Sequence, residues 1–408
     1  MKKRTIAKTG ATMLTMAMLL NGTTVFAAGS NYGPQIGGTK TTTFDKFLVM
    51  DQQANVPNAT FTYTVTAGAA KDYNVAGKKF QVLAGVDADK ITMAGVGAAD
   101  AAANSIVFKQ GDGSDTHDTT KDNYVKDLAQ GKKYALKTAT LDFSKVLFTE
   151  PGIYRYIITE SGTNQAVTND KDATRVVDVY VNDASGTDDK KLTIAGYVLH
   201  SSESDIAAGG DLGSADTKLD GKSQGFTNEY DTSDLTFKKE VSGNQASHDK
   251  YFEFTVKITN AKPGTVYNVN RSKADETSKS NTATITENAG KSNPDKLTVG
   301  TDGTVTQKFY LQHGQEITIQ GIAKDSQYSV TEKAEDYKST AAGVEDYKAP
   351  VNGKIESADL KTSYLNTRAG VIPTGVMMTV APFAAVTLLG AAGMVKIRMS
   401  KKREDDEE

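Results

Sequence analysis

No cysteine occurs in the 408 residues, so no disulfide holds this chain together. A chain that faces oxidants and proteases outside the cell usually gains from such staples, and their absence leaves a fold that needs none or one closed by another kind of crosslink. Tryptophan is also absent, and proline occurs eight times. The four histidines, His117, His200, His248 and His313, share no metal-ligand spacing, which argues against a histidine metal centre and reads as surface or turn positions. Charge of one sign is lacking too: 47 Lys and Arg against 50 Asp and Glu give a net charge of −3 without any basic patch, which excludes nucleic acid as a partner. No glycine-rich phosphate loop opens a helix and no Ser-His-Asp arrangement stands out, so an enzyme reading has no site to rest on and no cofactor or metal is expected.

What is present begins at the two ends. Lys2, Lys3, Arg4 and Lys8 precede the apolar segment Met13 to Leu20, and Val25-Phe26-Ala27 places small residues at cleavage-site spacing. This predicts a signal peptide over 1–27, removed after Ala27. At the other end an apolar run from Val376 to Val395 is followed by Lys396, Arg398, Lys401, Lys402 and Arg403. About twenty apolar residues suffice to cross a bilayer as one helix, and a basic cluster behind them stays in the cytoplasm, leaving everything upstream outside. Val371-Ile372-Pro373-Thr374-Gly375 then sits at the outer surface. This pentapeptide resembles the sorting signal read by sortases, the Gram-positive transpeptidases. The resemblance implies cleavage between Thr374 and Gly375 and transfer of the Thr374 carbonyl to an amine. Val-Ile in place of the commoner Leu-Pro opening looks like the variant signals of pilin-class substrates. The acidic finish Glu404 to Glu408 has no account.

Between the ends there is chain enough for two cores. Phe61-Thr-Tyr63-Thr-Val65 and Phe252-Glu-Phe254-Thr-Val256-Lys-Ile258 put apolar side chains on every second position, the period of a strand with one buried face. Turn-forming clusters such as Gly111–Ser114, Asn182–Gly186 and Thr301–Gly303 separate these runs. The reading is an all-β chain of antiparallel sandwiches throughout. The Ala/Gly-rich piece from Ala94 to Ala103 is compatible with a loop or a weak helix. Asp112-Gly-Ser-Asp-Thr-His-Asp118 loosely resembles a calcium loop but lacks a bidentate Glu at the right offset, and reads as a turn.

One pattern occurs twice in the same order. The first copy has Phe44-Asp-Lys46-Phe-Leu48, then Tyr154-Arg-Tyr156-Ile-Ile158-Thr-Glu160, then Phe226-Thr-Asn228; the second has Leu235-Thr-Phe237-Lys-Lys239-Glu-Val241, then Tyr328-Ser-Val330-Thr-Glu332, then Tyr364-Leu-Asn366. Strand alternation sets Lys46 on the face of Phe44 and Leu48, Lys239 on that of Leu235, Phe237 and Val241, and each Glu on the face of its apolar neighbours. The first copy has one irregularity, since Phe47 and Val49 make its opening strand apolar on both faces. A buried ammonium or carboxylate tends to neutralise, the lysine pKa falling and the glutamate pKa rising. A neutral lysine amine lying against an Asn side-chain amide can attack its carbonyl carbon; a protonated Glu polarises that carbonyl and relays protons until ammonia leaves. Fixed geometry makes this feasible, because well-oriented groups reach effective molarities on the order of 10⁵ M or more.

These residues resemble the isopeptide-forming, immunoglobulin-like (CnaB-type) domains of Gram-positive pilins, and the likeness is nearest to the two-domain backbone pilins of streptococcal-type pili. Val241-Ser-Gly-Asn244 leading to Phe252, the Leu311-Gln-His313-Gly314 stretch and Ala381-Pro382-Phe383 look like the corresponding family segments. The resemblance implies crosslinks Lys46–Asn228 assisted by Glu160 and Lys239–Asn366 assisted by Glu332. It implies a linker over 28–38, a first isopeptide domain over 39–231, a second over 232–368, and the sorting signal, membrane span and charged tail over 369–408. It further implies a covalent head-to-tail polymer of identical subunits built by a sortase, with Lys222 as the intersubunit acceptor and Lys218 as the alternative, and with ancillary pilins and peptidoglycan as further partners at the cell wall. A wall-anchored adhesin or ancillary pilin that binds a host ligand is the other reading; it shares every feature except an internal acceptor lysine.

Overall fold

The computed structural model describes residues 36–75, 78–116, 125, 128–184, 191–202, 223–273, 290–341 and 350–370. Thirteen strands precede Asp231: β1 (Ile36–Gly38), β2 (Thr41–Asp51), β3 (Ala59–Ala67), β4 (Lys71–Val75), β5 (Lys78–Ala84), β6 (Thr92–Met93), β7 (Ser105–Phe108), β8 (Lys132–Asp142), β9 (Gly152–Ser161), β10 (Val167–Thr168), β11 (Thr174–Asp183), β12 (Leu192–His200) and β13 (Gly225–Tyr230). Ten follow it: β14 (Thr232–Ser242), β15 (Phe252–Thr259), β16 (Val266–Lys273), β17 (Lys296–Thr298), β18 (Val305–Leu311), β19 (Gln315–Ala323), β20 (Gln327–Glu332), β21 (Lys338–Ala341), β22 (Asn352–Lys354) and β23 (Leu360–Thr367). One 3-10 turn, Ala88–Lys90, is the helical content among the described residues. Ala94–Ala103 is irregular, tied to the sheet by an isolated bridge from Val96 to Ile106.

Two sandwiches result, each closed around its own core. In the first, an eight-stranded sheet in the order β1-β12-β11-β9-β3-β7, with β5 on β9 and β4 on β5, faces a five-stranded sheet in the order β10-β13-β2-β8-β6. In the second, β17-β16-β19-β14-β23-β21 faces β18-β15-β20-β22. The alternation seen in sequence is what fills the gap between sheets: Phe61 and Tyr63 of β3, Tyr154, Tyr156 and Ile158 of β9 and Phe226 of β13 form one core, and Phe237, Phe254, Phe309 and Tyr364 are among the residues of the other. At about 25 cal/mol per Å² of apolar surface buried, such layers supply the main drive to fold.

Pairing is not antiparallel throughout. β2 lies between antiparallel β8 and parallel β13, and β14 lies between antiparallel β19 and parallel β23. The lysine-bearing strand of each sandwich, β2 or β14, is therefore the parallel neighbour of that sandwich's last strand, which local periodicity cannot reveal. β1 is a second departure: residues 36–38, expected in a linker, pair in parallel with Leu192–Ile194 of β12, and Ile-Gly-Gly is too short to carry an alternating signal. The double apolar character of β2 has a separate cause. Phe47 and Val49 turn away from the sandwich interior and bury with Tyr134 in a small cluster covered by Val125, Leu128 and Leu136.

The outer face of β9 carries a different burial. Arg155, between the core residues Tyr154 and Tyr156, is fully buried, with Nε and Nη2 each 2.8 Å from the Asp178 carboxylate of β11 and Nη1 donating to the Tyr73 hydroxyl of β4. Burial alone would push the Asp178 carboxyl up, but the Arg155 hydrogen bonds and charge, with His200 3.3 Å away, hold it below the ordinary range.

A single residue, Asp231, separates β13 from β14. Its carbonyl accepts the Lys324 N–H and its N–H donates to the Ala166 carbonyl, while Thr232 Oγ1 donates to Asp51 at 2.7 Å. The last strand of one sandwich thus runs directly into the first strand of the next.

Candidate isopeptide sites

The two triads occupy matching places in the two sheets. In the parallel ladders, Lys46 of β2 stands beside Phe226 and Lys239 of β14 beside Tyr364. Asn228 and Asn366 each lie two residues further on, so they project to the same face as the neighbour of their lysine, one step along the strand. The carboxylates come from the facing sheets, Glu160 from β9 and Glu332 from β20. All six side chains are buried, with the lysines at 0 % exposure.

In the first sandwich Lys46 Nζ is 2.7 Å from Glu160 Oε2 and donates to Asn228 Oδ1. In the second, Lys239 Nζ is 2.7 Å from Glu332 Oε1 and donates to the Tyr364 carbonyl at 3.2 Å, while Asn366 Nδ2 donates to the same Glu332 oxygen at 2.9 Å. Each amine is also stacked over an aromatic ring, Phe61 at 4.1 Å for Lys46 and Phe252 at 4.6 Å for Lys239. Burial lowers both lysines from the usual range to about 8, only partly offset by the charge of and hydrogen bond to the glutamate. A lysine with a pKa of about 8 is neutral in roughly a tenth of molecules at pH 7, against fewer than one in a thousand at the ordinary value. The first site therefore supplies a nucleophilic amine, an electrophilic amide held against it and a carboxylate within proton-transfer distance, and in the second the amine and the amide meet on one Glu332 oxygen.

Several participants lie outside the triads read from sequence. Tyr63 donates its hydroxyl to Glu160 Oε2 at 2.7 Å, and burial, with the Glu160 charge, raises its pKa well above the ordinary value. Asp170 N–H donates to Asn228 Oδ1 at 3.1 Å, and Asn228 Nδ2 donates to Asn169 Oδ1 at 3.2 Å. The carbonyl polarisation expected of Glu160 falls in this geometry to a backbone N–H, with Glu160 engaged by Lys46 and Tyr63. The rings beneath the amines had a usable signal, because Phe61-x-Tyr63 and Phe252-x-Phe254 repeat at corresponding places in the two copies; the Asn169–Asp170 turn had none.

Thr374, Gly375, Lys218 and Lys222, together with the expected signal peptide and membrane span, lie outside the described residues. Asp112, read as a turn residue, accepts the Lys109 N–H at 2.9 Å and pairs with Lys137 at 3.0 Å. His248 and His313 stack at 4.1 Å, and His313 Nδ1 accepts the Val241 N–H.

Comparison with known proteins adds relatives. Residues 36–231 match the family of the Spy0128-like isopeptide-containing domain, and residues 233–368 match a domain of unknown function, DUF7601. A protein from Streptococcus pyogenes serotype M1 described as a pilin is 24% identical over 410 residues, spanning 96% of this chain and 97% of its own. The crystal structure of the major pilin of Streptococcus pyogenes aligns with a TM-score of 0.48 at 20% identity over 82% of this chain and all of that one. The T3.2 major pilin of the same species aligns with a TM-score of 0.45 at 20% identity over 81% of this chain and all of that one.

Proposed function

We infer that this chain belongs with the streptococcal-type backbone pilins and is the structural subunit of a surface pilus, its first sandwich being a Spy0128-like isopeptide-containing domain. The observation that carries the reading is the duplicated triad: two buried lysines, each paired with a Glu on the facing sheet and each beside a parallel last strand that carries an Asn, which Lys46 contacts directly and Lys239 meets through Glu332. A catalytic site for an external substrate would expose its nucleophile, and both amines here are sealed in cores. Each sandwich acts only on itself, closing Lys46 to Asn228 with Glu160 and Lys239 to Asn366 with Glu332.

Polymerisation follows from the ends of the chain. A sortase cleaves Thr374–Gly375 and transfers the Thr374 acyl group to Lys222 of the next subunit, or to Lys218. Donor and acceptor lie at different places, so the contact is heterologous and propagates as an open filament. The same transfer to a wall amine anchors the fibre to peptidoglycan at the cell surface, and ancillary pilins join through the same chemistry. Denaturing electrophoresis of wall extracts tests this. A covalent ladder is expected from the wild type and a single anchored band from Lys222→Ala. A ladder that survives both Lys222→Ala and Lys218→Ala rejects the acceptor assignment, and a wild type without a ladder in the presence of its sortase replaces the shaft by an anchored adhesin.

A further inference from the structure

The two sites share a plan but hold their amides differently, and the difference lies in one turn. Between β10 and β11, Asn169 and Asp170 take hold of both ends of the Asn228 amide: the Asp170 N–H donates to Oδ1 at 3.1 Å, and Asn169 Oδ1 accepts Nδ2 at 3.2 Å. The opposite amide orientation would set Nδ2 against two donors, Lys46 and the Asp170 N–H, so this network fixes which end faces the amine. Among the described residues of the second sandwich there is no such grip. Asn366 Oδ1 is buried and accepts no hydrogen bond, and its Nδ2 is held by Glu332 itself.

The turn is in turn anchored to the strand that bears Asn228. Asp170 Oδ2 accepts the Thr227 N–H at 2.7 Å and pairs with Arg175 at 2.6 Å, while its Oδ1 accepts the Asp172 N–H at 3.0 Å. Arg175 also donates to the Gly225 carbonyl at 2.7 Å and lies 4.6 Å above the Phe226 ring. Residues 225–227, immediately before Asn228, are therefore fastened to the turn that holds its side chain. Beyond it, Asn169, Asn228, Thr168 and Thr227 line an open cleft of about 290 Å³, whereas Lys46 on the opposite side of the amide is sealed in the core.

We propose that Asn169 and Asp170 are positioning residues for the first crosslink, presenting the Asn228 carbonyl carbon to Lys46 and its leaving nitrogen to the open cleft. This rests on the reading that Lys46 and Asn228 join. In the step, the Lys46 Nζ–Asn228 Cγ bond forms and the Cγ–Nδ2 bond breaks; one amine proton, carried by Glu160, ends on Nδ2, which departs as ammonia through the cleft. Charge that builds on Oδ1 meets a preorganised backbone N–H, the kind of donor whose loss costs 10²–10³ in rate at an oxyanion site. In the second site the carboxylate that pairs with Lys239 also holds the Asn366 nitrogen, so Glu332 lies on the path of the proton from amine to leaving group.

The full chain, made by cell-free synthesis, sampled with time, quenched in denaturant and digested, reports both crosslinked peptides by mass spectrometry. Asn169→Ala is expected to slow Lys46–Asn228 formation on the order of tenfold or more, while Lys239–Asn366 in the same molecules keeps its wild-type rate. Asn169→Asp retains the accepting oxygen and is expected to restore the first rate. In a Glu160→Ala background, where the first bond does not form, Asn169→Ala should leave the melting temperature unchanged, separating positioning from general support of the fold. Wild-type kinetics in Asn169→Ala overturn the proposal. So does an Asn169→Asp rate as low as that of Asn169→Ala, an outcome that decides the matter even where the alanine variant folds poorly. Absence of the Lys46–Asn228 peptide from the wild type instead removes the crosslink itself, and the proposal with it.

Discussion

Tyr63 and Phe254 stand at the same rung of the two sandwiches, each directly across an antiparallel ladder from its glutamate, Tyr63 opposite Glu160 and Phe254 opposite Glu332. They differ by one hydroxyl, which in the first sandwich donates to Glu160. In the second, the carboxylate takes its extra hydrogen bond from Ser339 Oγ at 2.9 Å. A hydrogen bond to a charged group contributes about 1.5–3 kcal/mol. In an Asn228→Ala background, where no covalent bond masks stability, Tyr63→Phe should destabilise the first sandwich by that amount in urea denaturation. No change in the midpoint would mean that the hydroxyl is immaterial to the buried pair.

The covalent state of the chain is the most direct readout. Intact mass of the mature protein should fall short of its sequence mass by two ammonia units. Glu160→Ala and Glu332→Ala should each restore one, since each removes the proton carrier of one site only. The loop closed by Lys46 and Asn228 spans 182 residues, and by analogy with disulfide closure such a bond stabilises the fold by roughly 5 kcal/mol. A wild-type mass equal to the sequence mass would sink the crosslinks outright.

The rate of crosslinking should follow the lysines. Only the neutral amine attacks, and burial brings both amines down to about 8. A lowered lysine pKa moves the neutral form to lower pH, so the rate should climb about tenfold per pH unit below 8 and level off above it. An unburied lysine would keep climbing to beyond pH 10. A time course of mass loss across pH 6 to 10 distinguishes the two; a profile still rising at pH 10 contradicts the burial argument.

Arg155 and Asp178 offer a test away from the crosslinks. Removing one partner of a buried ion pair leaves an uncompensated charge and costs about 3–5 kcal/mol, whereas replacing both with apolar residues of similar volume is often neutral. Asp178→Ala should therefore lower the melting temperature of the first sandwich in a Glu160→Ala background. Arg155→Met combined with Asp178→Leu should recover most of the loss. Equal destabilisation by the single and double variants would show that the pair stabilises more than it costs to bury.

Much of this was legible because a strand repeats every two residues. The count that puts Lys46 with Phe44 and Leu48, or Lys239 with Phe237 and Val241, requires no knowledge of the partner strand, and the structure buries all of these residues inside the sandwiches. Register between distant strands is another matter. Nothing local in Phe226-Thr-Asn228 says that it runs parallel to β2, and β1 is too short to show a period. Phe47 and Val49 looked anomalous because a second, smaller cluster on the opposite face was not foreseeable from β2 alone. The Asn169–Asp170 turn was illegible for a related reason: polar residues in a connection between strands look alike whether they face water or hold a buried amide.

The parallel neighbours β2–β13 and β14–β23, separated by Asp231 alone, also decide what a cut can do. With both bonds made, each sandwich is a closed covalent ring, and the shortest route along the molecule visits residues 36–46, 228–239 and 366–370. Everything from 47 to 227 and from 240 to 365 is a side branch. A protease that hydrolyses one peptide bond in either branch opens a ring without severing the molecule, and the two cut ends stay attached to the same subunit. In a fibre joined from Thr374 to Lys222 or Lys218 of the next subunit, the acceptor lies inside the first ring. Only cuts within residues 228–239 or 366–374 would then part the fibre, and the first of these segments lies largely in the strands β13 and β14.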